Sequence, residues 1–222
     1  MAVIQDPQDP TIQMKVDPTY NAARMSLMPR DWSENAPHIG CHAKASYRTG
    51  LVTGVAAAGA IFSMRWANAQ FNLLLQRLSI TANLQTQFTT PQEMSVDVTR
   101  VINFSVADSG GTPITPLLKA PIKDTIMGLS QIADLRVAGV GALTNGTATV
   151  ETSPIAEDAF VMSNVTGNSS KIDLIDIRPG EQIPCVFRNN EGFRIRILQA
   201  MGAAGVIVFH FNLDWVEIPN IY

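Results

Sequence analysis

The stretch Ile207-Val208-Phe209-His210-Phe211-Asn212-Leu213-Asp214-Trp215 decides the fold. Ile207, Phe209, Phe211, Leu213 and Trp215 are large and apolar, while His210, Asn212 and Asp214 between them are polar. A period of two with the bulk on one face is the pattern of a half-buried β-strand. Just upstream, Phe193, Ile195 and Ile197 alternate with Arg194 and Arg196, and Met201-Gly202-Ala203-Ala204-Gly205 supplies a turn. The end of the chain therefore reads as two strands joined by a turn, with one face buried and one face wet.

From Tyr47 onward, strand patterns recur. Ala60 to Trp66 is a short one and Phe71 to Ile80 a second. Gln92 to Val106 is the longest: Met94, Val96, Val98, Ile102, Phe104 and Val106 are expected on one face, with Ser95, Asp97, Thr99, Asn103 and Ser105 opposite. Arg100 alone breaks the apolar face. Asp108-Ser109-Gly110-Gly111 follows with strong turn chemistry. Between Pro121 and Val137 the apolar residues Ile122, Ile126, Leu129, Ile132 and Ala133 fall nearer to helical spacing, which allows one short helix. Strands resume near Thr147 to Val150, Phe160 to Val165, Ile172 to Ile177 and Ile183 to Arg188. About eight to ten short strands with turns between them favour an all-β fold, an antiparallel β-sandwich or jelly roll.

Residues 1–46 differ from the rest. Prolines at 7, 10, 18, 29 and 37 bracket the segment and interrupt helix and ladder alike. Yet Ile12, Met14, Val16, Tyr20, Met25, Leu27, Met28 and Trp32 make it too apolar for a disordered tail. The expectation is an extended proline-rich arm over 1–46, followed by the β domain over 47–222. Stretched out, such an arm reaches on the order of 150 Å, enough to cross onto a neighbouring subunit. An irregular wrap around its own domain fits the same residues.

Composition narrows the function. Charged residues are 16% of the 222, against about 25% in ordinary soluble domains, which suggests that other protein covers part of the surface. A net charge of −3 argues against nucleic-acid binding, which needs a concentrated basic patch. The N-terminal residues show no basic stretch followed by an apolar one, so no secretory signal is expected. The longest apolar run, Val55 to Phe62, is far short of a membrane span. Cys41 and Cys185 are too few for a disulfide framework; two free thiols are expected, with a single bridge between them as the alternative. The four Asn-x-Ser/Thr triplets, at Asn103, Asn145, Asn164 and Asn168, read as chance matches.

The candidate chemistry is thin. Ala107-Asp108-Ser109-Gly110-Gly111 resembles the nucleophile region of chymotrypsin-like serine proteases, with Ser109 as nucleophile, His42 as base and Asp97 as orienter. Ala107 stands where that family has glycine, however, and His42 lacks its usual neighbours. The Asp-Ser-Gly triplet also occurs in aspartic proteases, which need a second such aspartate from a partner lobe or subunit. The plainer reading is a hairpin turn in which Asp and Gly satisfy special backbone geometry. His38, Cys41 and His42 carry zinc-ligand chemistry, but three ligands this close rarely complete a tetrahedral site without a fourth, such as Cys185 or His210. Asp173 and Asp176, three apart on a strand, are expected on opposite faces. Trp66, Arg65 and Trp215 could stack on a sugar, although core packing is the ordinary role of such tryptophans. Arg194 and Arg196, beside Arg188, are expected to pair with Asp214 and Glu217 across the sheet or on another subunit. No catalytic residue, metal or cofactor is assigned.

Three stretches together resemble a family of uncharacterised structural proteins of tailed bacteriophages. They are Phe62-Ser63-Met64-Arg65-Trp66-Ala67-Asn68-Ala69, then Gln92-Glu93 through Asp108-Ser109-Gly110-Gly111-Thr112, then Asn190-Glu191-Gly192-Phe193 through Met201-Gly202-Ala203-Ala204-Gly205 to Asp214-Trp215-Val216-Glu217. The similarity spans roughly residues 47–218, leaves the arm outside, and is most specific in its closing Asp-Trp-Val-Glu. It implies a virion component made in the host cytoplasm, and it carries over no catalytic residues. The expected function is a non-enzymatic capsid-surface decoration (cement) or minor head protein. A tail-associated receptor- or glycan-binding module is the alternative, and a serine hydrolase using Ser109 a remote one. Expected partners are further copies of the chain, with a trimer favoured, and other virion proteins such as the major capsid protein. Neither nucleic acid nor a membrane is expected. The interaction residues would be Ile12, Met14, Val16, Tyr20, Met25, Leu27 and Trp32 on the arm, with Arg194 and Arg196.

Overall fold

The computed structural model describes residues 41–114, 130–162, 165–177 and 185–219, and the backbone alone of 3–5, 13–17, 22–23 and, within the longer stretches, 162. The chain divides into two compact units, Met1–Ala36 and Pro37–Tyr222. In the first, β1 (Val3–Gln5), β2 (Gln13–Asp17) and β3 (Ala22–Ala23) form a small antiparallel sheet in the order β1-β2-β3. The segment expected to be an unpaired arm thus carries regular pairing where its backbone is described: Ile4 lies opposite Met14, and Val16 opposite Ala23. The side chains of Ile12, Met14, Val16, Tyr20, Met25, Leu27 and Trp32 lie outside the described residues.

The second unit holds β4 (Cys41–Arg48), β5 (Gly59–Trp66), β6 (Phe71–Thr86), β7 (Gln92–Phe104), β8 (Thr112–Ile114), β9 (Ile132–Val137), β10 (Ala148–Val150), β11 (Ala156–Met162), β12 (Ser169–Asp176), β13 (Cys185–Phe187), β14 (Gly192–Ile197) and β15 (Val206–Pro219). They make two antiparallel sheets packed face to face, a β-sandwich. One sheet runs β10-β7-β14-β5-β9-β8, with β11 also on β7; the other runs β12-β6-β15-β4, with β13 also on β6. The boundary expected at residue 46 falls inside β4, which pairs along its length with β15 from His210–Arg48 to Glu217–Cys41. The helix allowed between 121 and 137 is a strand in its last six residues, and 121–129 lie outside the described residues.

β15 is the strand that the alternation promised. Ile207, Phe209, Phe211, Leu213 and Trp215 point inward and are buried. Phe211 meets Phe62 of the opposite sheet with ring centroids 4.9 Å apart, and Phe62 stacks on Phe193 at 5.6 Å. Burial of side chains this size is the main stabilising term of such a layer, about 1.5–3 kcal/mol each. The two terminal strands do not pair with each other, however. β14 lies between β5 and β7, and β15 lies between β6 and β4. The turn at 201–205 therefore crosses from one sheet to the other. Gly205 makes that crossing close, since a Cβ there would fall 2.0 Å from the Phe88 ring.

Among the register shifts of the described strands, two change which residues share a face relative to the sequence reading. Thr149 lies opposite Asn103 and Val150 opposite Val101, so Ile102 is the extra residue of β7. An inserted residue breaks strict alternation. Met94, Val96 and Val98 face the core as expected, but Ile102 is 44% exposed and Phe104 turns to the outer face. In β12, Asp173 lies opposite Ser79 and Ile175 opposite Leu78, with Leu174 extra. Asp173 and Asp176 consequently share a face rather than opposing one another, and both approach Arg77, at 3.5 and 4.0 Å.

Candidate functional site

Three polar places in the sandwich concern the residues singled out from the sequence. The first lies on the outer face of the seven-stranded sheet. Arg194 reaches Asp108 through two bonds, Nε to Oδ2 at 2.8 Å and Nη2 to Oδ1 at 2.5 Å. Ser63 donates to Asp108 Oδ2 at 2.6 Å and the Gly146 N–H to Oδ1 at 2.7 Å. The side chain of Asp108 is wholly buried and that of Arg194 nearly so. Burial alone would raise the Asp108 carboxyl; the bonds from Arg194, Ser63 and Gly146, with the guanidinium charge, outweigh it and hold the carboxyl below its ordinary value. Arg194 also lies 5.4 Å from the Phe104 ring centroid, a cation–π contact. Beside it, Arg196 binds Asp97 through Nε at 3.0 Å and a second bond from Nη2, and Thr99 donates to the same carboxylate at 3.1 Å.

These contacts correct two expectations. Arg194 pairs with Asp108 of the loop after β7, and Arg196 with Asp97 of β7, rather than with Asp214 and Glu217, which belong to the other sheet. Arg194, 5% exposed, is spent inside the fold and does not offer a surface for a partner. Arg100, the break in the apolar face of β7, lies over the Phe187 ring at 5.3 Å and binds Glu191 at 2.9 Å.

The protease constellation is not assembled. Ser109 pairs backbone to backbone with Thr144, 2.9 Å in both directions, and Gly110 and Gly111 adopt φ of 74° and 56°. The two glycines take the left-handed backbone that the plainer reading expected, but the segment is not a hairpin turn: β8 pairs with β9 and not with β7, and Asp108 is used by Arg194. A Cβ on Gly111 would lie 2.3 Å from the Val137 carbonyl oxygen. His42 stands on the outer face of the other sheet and bonds Asp214 at 3.1 Å, while Asp97 is held by Arg196. Strand alternation also sends Cys41 inward and His42 outward, which separates two of the three zinc-ligand candidates; His38 lies outside the described residues. Among the described residues no group of three His, Cys, Asp or Glu is placed to hold a metal ion. Cys41 and Cys185 are both free, and burial, with the nearby Glu217 charge, pushes the Cys41 thiol up to about 12. Trp66 and Trp215 are core residues with their indole N–H groups bonded to Phe71 O and Glu217, and Arg65 bonds Asn190.

The second place is the outer face of the five-stranded sheet, where registers align polar side chains across four strands. Lys44, Asp214, Arg77 and Asp176 form one row; Ser46, Asn212, Ser79 and Asp173 the next; Arg48, His210, Thr81 and Lys171 the third. Part of this face forms a groove of about 200 Å³ lined by Lys44, Arg77, Ser79, Lys171, Asn212 and Asp214, together with Leu213. Lys171 pairs with Asp173 at 3.1 Å. Lys44, Arg77 and Lys171 stand in the groove with the single carboxylate of Asp214, and Asp173 and Asp176 flank it through Arg77 and Lys171.

The third place is inside the core. Glu217 continues the inward-facing series of β15 and is fully buried. It accepts from Ser130 Oγ at 2.6 Å, the Trp215 indole N–H at 3.1 Å and the Gln131 N–H at 3.1 Å. Burial raises its carboxyl above the ordinary value and these three donors only moderate the rise. The bonds fasten the entry to β9 against the end of β15.

Neither a scan against protein-family models nor a search of curated proteins finds a match to the chain. The functional reading therefore rests on the geometry and on the sequence resemblance. The sequence missed the Asp108–Arg194 pair and the Glu217 cluster. Glu217 left one signal: it occupies the next position in the apolar period after Trp215, where an unpartnered carboxylate would be costly.

Proposed function

We propose that the chain is a non-enzymatic structural protein of a bacteriophage virion, a capsid-surface decoration or cement protein or a minor head protein. The observation that carries this reading is the use made of the residues that offered catalysis. Asp97, Asp108 and His42 each tie one strand or loop to another through hydrogen bonds, as the buried Glu217 also does. Charged side chains spent as ties suit a scaffold that must hold its shape under load. The low charged fraction and the resemblance to tailed-phage structural proteins support the same reading. Under it, the chain works by contact: the sandwich and the N-terminal segment cover neighbouring copies, in a trimer or another homo-oligomer, and the major capsid protein.

Quantitative mass spectrometry of purified particles tests the proposal. Copy number on the scale of the capsid lattice is expected; absence of the chain from washed particles would refute it.

The groove on the five-stranded sheet favours a second reading, a tail-associated module that binds a receptor glycan. Its Lys44, Arg77, Asn212 and Asp214 side chains can hydrogen-bond the hydroxyls of a saccharide. A low copy number confined to tails, with glycan binding lost on Asp214→Ala, would select this reading over the first.

A further inference from the structure

Asn145-Gly146 is the only Asn-Gly pair among the 222 residues, and it lies in the loop that supplies a donor to Asp108. In such a pair the second backbone nitrogen reaches the asparagine side chain most readily, because no Cβ on the glycine hinders the approach. Asn145 is exposed. Gly146 is demanded by the fold, since a Cβ there would lie 2.3 Å from the Val106 carbonyl oxygen and 2.4 Å from that of Ala107. The structure thus requires the residue that makes its neighbour labile. It also restrains the reacting atom: the Gly146 nitrogen donates its hydrogen to Asp108 Oδ1 at 2.7 Å, and the Gly146 carbonyl accepts from Arg194 at 3.3 Å.

We propose that Asn145 is a site of spontaneous deamidation whose rate is set by the hold of Asp108 on Gly146. In the reaction the Gly146 nitrogen gives its proton to a solvent base and attacks Cγ of Asn145. The new C–N bond forms, the Cγ–Nδ2 bond breaks, and the amide nitrogen leaves as ammonia after taking up a proton. Water then opens the resulting cyclic imide at either carbonyl, giving aspartate or isoaspartate. No oxidant or reductant is involved.

While the bond to Asp108 persists, a carboxylate beside the N–H opposes loss of its proton, and the nitrogen cannot swing toward Cγ. Attack therefore proceeds from the opened loop, and its rate follows the opening equilibrium. A hydrogen bond to a charged group slows a process that requires its rupture on the order of tenfold to a hundredfold. The product brings a new carboxylate close to Asp108, and isoaspartate lengthens the backbone by one methylene. Both changes weaken the hold on Gly146 and loosen the polar layer around Arg194. The inference is independent of the virion reading.

The test follows the peptide containing residues 145–146 by mass spectrometry while full-length protein ages at mildly alkaline pH, with isoaspartate detected by enzymatic methylation. Wild type is compared in its native state and unfolded in urea, alongside Asn145→Gln and Asp108→Asn. Native wild type is expected to convert tens of fold more slowly than the unfolded chain, and Asn145→Gln to show no conversion at that peptide. Asp108→Asn, where circular dichroism shows it folded, should approach the unfolded rate. If that variant does not fold, the wild-type comparison decides. Equal native and unfolded rates would overturn the control by Asp108, and no conversion in the unfolded chain would overturn the site.

Discussion

Separating Asp108 from Arg194 is the most informative perturbation of this fold. Arg194→Met keeps much of the aliphatic stem over Phe104 but removes the guanidinium, leaving a fully buried carboxylate with Ser63 and Gly146 as its donors. Asp108→Asn leaves the converse, a guanidinium 6% exposed and without its counter-charge. Breaking a buried pair on one side costs about 3–5 kcal/mol, because the remaining charge is stranded away from water. The double variant strands neither charge, so it should cost less than the sum, with a coupling of about 2–3 kcal/mol. Urea is the denaturant of choice, since guanidinium is itself a screening salt. The fluorescence of the buried Trp66 and Trp215 reports unfolding.

Acid supplies an independent check with a definite sign. The Asp108 carboxyl is held below 3.8 in the fold. Its contribution is therefore present in full above the unfolded value and is lost as pH falls through the folded one. In Arg194→Met that carboxyl rises, so stability should begin to fall at higher pH than in wild type. If both single variants cost less than about 1 kcal/mol, as expected of a half-exposed pair such as Lys171–Asp173, the pair is not the buried tie described above. Strict additivity of the two single variants would refute the coupling outright.

Other outcomes follow from the same structure. Phe211→Ala and Trp215→Ala should each cost about 3–5 kcal/mol in urea denaturation, while Asn212→Ser, which loses an exposed bond to Ser46, should be nearly silent. Gly111→Val should prevent native folding by circular dichroism, whereas Ser109→Ala should leave the thermal midpoint close to wild type. Native protein should react with a thiol reagent at the half-buried Cys185 well before the buried Cys41, and denaturant should abolish the difference. Glu217→Gln should flatten the pH dependence of stability: a carboxyl raised above 4.5 by burial favours the fold fully below its unfolded value and loses that contribution as pH rises through the folded one, so the variant gains on wild type toward neutral pH in urea titrations.

Strand identity was legible because it depends on neighbours in sequence. The period of two in Ile207–Trp215 and in Met94–Val98 names the inward residues without knowledge of their partners. Sheet membership depends on residues far away, and here the local signal misleads: β14 and β15 look like consecutive strands of one sheet yet face each other across the core. The bulges at Ile102 and Leu174 were equally invisible, since nothing in either residue marks it as the one that lacks a partner. Their effects are large all the same. One turns Phe104 outward to lie under Arg194, and the other places Asp173 and Asp176 together on Arg77.

The two outer faces show why alternation reveals the side on which a residue lies but not whether that side is wet. Ser95, Asp97 and Thr99 alternate with apolar residues as solvent-facing positions should, yet they are 7%, 1% and 1% exposed. Asp108 and Gly146, brought in by loops on that face, turn it into a second, polar interior. There each charge must be matched, and Arg194 and Arg196 supply the matches. On the five-stranded sheet the same kind of alternation leaves Lys44, Ser46 and Arg48 open to solvent. A sequence pattern fixes neither outcome, because the cover comes from loops whose course is set by distant contacts. The charges follow the cover: they are locked in buried pairs where loops exclude water, and set out as an exposed, mixed array where they do not.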